Sequence, residues 1–147
     1  MQFLSIALFG AAAAVLIAVA IIDIRERRIP NKIMVPALAV ALAVALAQPD
    51  WGSRLAGGLV AGGLMLLPAL IYGLERAGGG DIKLGLFIGL LLGWPGVVPA
   101  LMIACTTALI FAVGGMLARR LSSRSVIAFG PFLALGGLLI GSLQFLL

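Results

Sequence analysis

Residues 3–22, "FLSIALFGAAAAVLIAVAII", carry no charged side chain, and residues 23–32, "DIRERRIPNK", follow at once with Asp23, Arg25, Glu26, Arg27, Arg28 and Lys32. A helix needs roughly 20 apolar residues to cross a hydrocarbon core of about 30 Å. The first stretch meets that length and then stops at charge. It is apolar throughout, whereas a barrel strand alternates apolar and polar with period two. It is also too long for the apolar region of a signal peptide and lacks a basic segment before it or a small-residue cleavage site after it. The expectation is a retained transmembrane helix.

Working outward, five further apolar segments occupy about residues 33–47, 55–74, 82–92, 97–117 and 126–147. Short polar connections join them, with no linker or low-complexity tract. The chain is 63% hydrophobic and only 10% charged, with a mean hydropathy of +1.27. Soluble domains carry about a quarter charged residues. The expected fold is therefore all-α: a polytopic membrane bundle of about six transmembrane helices, one membrane-embedded domain over residues 1–147. The second and fourth segments are short, and the fourth is expected to extend through Gly93 and Trp94.

A pI near 10.8 would point to nucleic acid in a soluble chain, but here topology accounts for the basic residues and no nucleic-acid partner is expected. Nine of the ten Lys and Arg lie on alternate connections: Arg25, Arg27, Arg28 and Lys32, then Arg76 and Lys83, then Arg119, Arg120 and Arg124. The positive-inside rule places those three connections in the cytoplasm and both termini outside. Lipid headgroups are the expected partners of most of these cations. Trp51 and Trp94 fall at the outer edge, where interfacial indoles collect. The single cysteine, Cys105, has no disulfide partner and the chain has no His. A Cys/His metal site is excluded, no cofactor is expected, and Cys105 reads as a buried small hydrophobe.

Four of the five acids, Asp23, Glu26, Glu75 and Asp81, gather at the cytoplasmic ends of the segments. Asp23 rides the last turn of the first helix, where the macrodipole disfavours a carboxylate; the bland alternative is an exposed acid paired with Arg27 four residues on. Asp81 begins the fourth segment, where an acid is a preferred N-cap. A cap does not require Gly78, Gly79 and Gly80 ahead of it, whereas a loop that adopts positive φ or lets another backbone approach does. Below Asp81, Gly85, Gly89 and Gly93 repeat every fourth residue and form a strip on which a neighbour can pack closely. With the first helix as that neighbour, Asp81 comes to Asp23. Two carboxylates at one depth fit an aspartyl dyad, one protonated and one ionised about a water. The dipoles favour Asp81 as the carboxylate and Asp23 as the acid. Binding of a divalent cation is disfavoured for want of further ligands.

Three stretches resemble the type IV prepilin peptidase family, membrane aspartyl proteases of the GxGD type. They are "GGGDIKL" at residues 78–84, "DIRERRIPN" at 23–31 and "IAFGPFLALGG" at 127–137, where Ala128 replaces a frequent proline. The resemblance implies that Asp23 and Asp81 are the catalytic pair and that prepilins or pseudopilins lose a short basic leader at the cytoplasmic face of the inner membrane. It implies that Gly78, Gly79, Gly80 and Lys83 position the loop or substrate; Lys83 otherwise reads as a snorkelling lipid anchor. Gly130 and Pro131 start the last helix or set it against the site. Glu26 and Glu75 are the local counter-charges for a basic leader. Larger family members also N-methylate the product through a region with paired Cys-x-x-Cys motifs, which these residues lack, so a peptidase without methyltransferase is expected. Two other classes compete: a proton-relay transporter, which needs acids near the midplane, and a non-enzymatic assembly protein with this fold.

Overall fold

The computed structural model describes residues 2–73, 79–122 and 127–147. They form six helices: α1 (Gln2–Glu26), α2 (Asn31–Ala47), α3 (Trp51–Tyr72), α4 (Gly79–Leu92), α5 (Val97–Leu117) and α6 (Gly130–Leu146). The helices stop where the backbone chemistry changes. Arg27 takes φ 53° just past α1, Gly73 takes φ 94° past α3 and Gly93 takes φ 71° past α4, a region that glycine enters without steric cost. Gly93 thus ends α4 at Leu92, and the expected extension through Trp94 does not occur. Pro131 sits in the first turn of α6, where its missing N–H costs nothing.

Helices α1, α3 and α5 are each long and apolar enough to cross a membrane, while α2 and α6 are shorter apolar helices. Leu59, Leu70, Ile71, Leu109 and Ile110 point outward and are largely exposed, as residues facing lipid should be. The chain is an integral membrane protein. Cys105, expected inside, is also exposed; in a bilayer the outward face is as apolar as the inward one, so an apolar context does not imply burial.

Lipid removes the hydrophobic drive between helices, so close packing must hold them. The tightest seam joins α3 to α4. A Cβ on Gly57 would lie 2.6 Å from the Gly89 carbonyl oxygen, and one on Gly85 would lie 3.0 Å from that of Ala61. The glycine strip of α4 therefore faces α3, not α1 as expected. Helix α4 is the centre of the bundle, with Leu84, Phe87, Ile88, Leu90 and Leu92 buried and with α2, α3 and α6 packed around it. Helix α1 packs chiefly on α6, where Phe9 stacks on Phe145 at 5.3 Å.

The bundle has two distinct ends. At one, the Ser53 hydroxyl donates to the Trp94 carbonyl at 2.6 Å, the Trp94 amide donates to the Ser53 carbonyl at 2.9 Å, and Gln144 Nε2 donates to the Leu92 carbonyl at 3.2 Å. At the other end lie the close of α1 and the starts of α2, α4 and α6.

Candidate active site

Asp23 occupies the last turn of α1 and is 5% exposed, the one buried charged side chain among the described residues. The neighbouring Ile24, Arg25, Glu26, Arg27 and Arg28 are all exposed. Burial follows from helical phase: Leu16, Val19 and Asp23 lie three or four residues apart and face inward together. The pairing with Arg27 does not form. Arg27 is exposed beyond the helix, and only its amide touches Asp23, donating to the backbone carbonyl at 2.8 Å. A buried carboxylate needs a hydrogen-bond donor. The Gly130 amide, at the start of α6, supplies one to Asp23 Oδ2 at 3.0 Å. A Cβ at Gly130 would collide with that same oxygen, so the donor must be a glycine.

Asp81 lies in the first turn of α4, inside the helix and not at its N-cap, and it is half-buried. Its turn of α4 stands against the short segment that follows Asp23, through Gly80 on Ile29 and Lys83 on Asn31. The two acids thus share one end of the bundle although α1 packs little on α4; α2 and α6, which touch both, bridge them. Own-helix dipoles cannot assign acid and base here, because Asp23 also faces the N-terminus of α6, whose dipole acts against that of α1.

Around Asp81, Gly80 packs where an added Cβ would stand 2.6 Å from Ile29 Cβ, while Gly79 has open space. Neither takes a positive φ, so Gly80 is small for close approach and not for conformational freedom. Lys83 Nζ donates to Asn31 Oδ1 at 2.6 Å, which replaces the picture of a free lipid anchor. Glu26 is exposed at the same end. Gly78 and Glu75 lie outside the described residues. Among the described residues no group of three or more acids or cysteines stands as a metal-binding set. An apolar cavity of about 410 Å³ opens between α1, α2 and α4, but neither aspartate lines it. Sequence reasoning did not single out Asn31 or Ile29 as site neighbours; the Ile-Pro-Asn ending of the second motif was the available signal.

Comparison with known proteins follows the same residues. A model of the type IV leader peptidase family matches residues 10–113, which include both aspartates. The prepilin leader peptidase/N-methyltransferase of Bacillus subtilis (strain 168) is 34% identical over 142 residues, covering 92% of this chain and 56% of that protein. The protein of the same name from Dickeya chrysanthemi is 35% identical over 142 residues, covering 90% and 50%. That from Burkholderia pseudomallei (strain 1026b) is 31% identical over 143 residues, covering 90% and 45%. The chain spans about half the length of these curated relatives. No solved structure matches it significantly. With the match running from α1 into α5 and through both acids, the chain belongs to the type IV leader peptidase family.

Proposed function

We propose that this chain is an aspartyl endopeptidase that removes the short basic leader from type IV prepilins or pseudopilins. The observation that carries the reading is the placing of Asp23 and Asp81 at one end of the bundle, with the turn that bears Asp81 fastened to the segment that follows Asp23. The family supports prepilin processing in general. In the proposed reaction the two carboxylates share one proton. The ionised one takes a proton from water as its oxygen attacks the scissile carbonyl, and the protonated one gives its proton toward the carbonyl oxygen. Collapse then returns a proton to the leaving amide nitrogen. No metal or cofactor is required for this sequence.

Basic connections put this end in the cytoplasm of an inner-membrane protein, with both termini outside and residues 1–147 as one membrane-embedded peptidase domain. The precursor's apolar helix lies in lipid, and its extended scissile segment reaches the water boundary, where protein can satisfy its backbone. Exposed Glu26, together with Glu75, attracts the basic leader; cleavage unchanged after replacing both with Gln would remove them from that role. Because these residues hold one cysteine and no Cys-x-x-Cys pair, we assign them proteolysis without N-methylation.

The test is to mix membranes carrying the chain with a candidate prepilin and follow the shortened product. Asp23→Asn and Asp81→Asn should each abolish cleavage while the protein still extracts as a folded species. Cleavage retained in either would remove that aspartate from the dyad.

A further inference from the structure

Asp23 lies in the last turn of α1, and Asn31 begins α2 only eight positions later. The segment between them is short, and it is fastened to the head of α4 at two points. Ile29 fills the space against Gly80, the residue before Asp81. Asn31 Oδ1 accepts from Lys83 Nζ at 2.6 Å, two residues after Asp81. The fastenings therefore flank Asp81 on either side. The same short segment carries Asp23 at its other end.

We infer that residues 23–31 act as a strap that sets the separation of the two aspartates, with Asn31 and Lys83 as its fastening and positioning residues. The inference rests on the proposed Asp23/Asp81 dyad. Its physical basis is the sparse packing of α1 on α4. Helices α2 and α6 bridge the two helices that carry the acids, and the strap adds a short covalent link fastened on both sides of Asp81. A hydrogen bond from an ammonium to an amide oxygen is charge-assisted; this one is exposed, and the half-buried Ile29 seated against Gly80 backs it. The close seat of Ile29 on Gly80 limits sliding of the strap along α4. Lys83 in this arrangement serves geometry; it does not act as a charge on the substrate.

Two readouts separate that role from others. Spin labels at Glu26→Cys and Gly79→Cys, in a Cys105→Ser background, report the distance between the end of α1 and the head of α4. Glu26 is exposed, and Gly79 has room for a side chain. In bilayers the distance should lengthen and broaden in Lys83→Met and in Asn31→Leu. Cleavage by the same single variants without labels should fall about a hundredfold, the scale of a 1 Å misplacement of reacting groups. The reciprocal swap, Asn31→Lys with Lys83→Asn, rebuilds the bond with its partners exchanged. It should restore both the distance and most of the cleavage, and Asn31→Asp should keep both because its carboxylate still accepts from Lys83. An unchanged distance in Lys83→Met would overturn the strap. So would a swap that regains the distance yet stays inactive, since Lys83 would then act through its own charge. If the parent chain cleaves no prepilin, the dyad reading fails, while the distances still decide the strap.

Discussion

At the start of α3, Asp50 is exposed and pairs with Arg54 at 3.0 Å, and the same guanidinium also donates to the Leu91 carbonyl at 2.9 Å; at the opposite end, Asp23 is buried with a backbone amide for its partner and Asp81 sits in the first turn of α4. One end neutralises its acid and uses the cation to tie α3 to α4. The other gathers two acids and, among the described residues, sets no cation in an ion pair with either. An acid kept for structure is cheapest when paired at the surface. Acids kept for chemistry must remain able to accept or give a proton, which a tight ion pair suppresses. The contrast is what the proposed Asp23/Asp81 dyad would require of the bundle's two ends.

Substitution at both ends tests that contrast. Replacing Asp81 with Asn should lower prepilin cleavage by at least about 10²-fold to 10⁴-fold, the range of positioned acid–base catalysis, measured as kcat/KM in reconstituted membranes. Asp50→Asn at the opposite end should leave the same rate within about twofold, since an exposed ion pair is worth only about 0–1 kcal/mol. Equal losses at the two ends would erase the distinction. Gly130→Ala should come next: its methyl would displace Asp23 Oδ2, and cleavage should drop about tenfold to a hundredfold with near-normal thermal unfolding.

Smaller effects distinguish the tight α3–α4 seam from lipid-facing positions. Gly89→Ala forces a methyl into the Gly57 backbone and should cost about 1–3 kcal/mol by overpacking, seen as a lowered Tm in detergent. Gly63 is on α3 with nothing within 4 Å of an added Cβ. Gly63→Ala should instead raise stability by about 0.5–1 kcal/mol through helix propensity alone. A destabilised Gly63→Ala would show that this face is covered.

Much of this architecture was legible in the sequence because a bilayer imposes length and polarity on each segment. The six helices fall where the six apolar stretches do, and Pro131 marked the first turn of α6. Both acids were visible as charge at segment ends. The identity of helix neighbours was not. A four-residue glycine period shows that one face of α4 is narrow, yet it carries no information on which helix fills it, and α3 does so through Gly57 and Ala61. The Gly130 amide at Asp23 joins positions 107 apart, and backbone donors leave no side-chain signature. For Gly80 the sequence left positive φ and close approach open, and the bulk of Ile29 decides for close approach.

The bond from Gly130 reaches only one oxygen of Asp23. An oxygen already accepting an amide proton is the poorer site for a carboxyl proton. In the proposed reaction, the exchangeable proton therefore belongs to Asp23 Oδ1 or to Asp81, and proton traffic keeps to one side of the Asp23 carboxyl group. The start of α6 thus reserves one oxygen of Asp23 for structure and leaves the other for exchange.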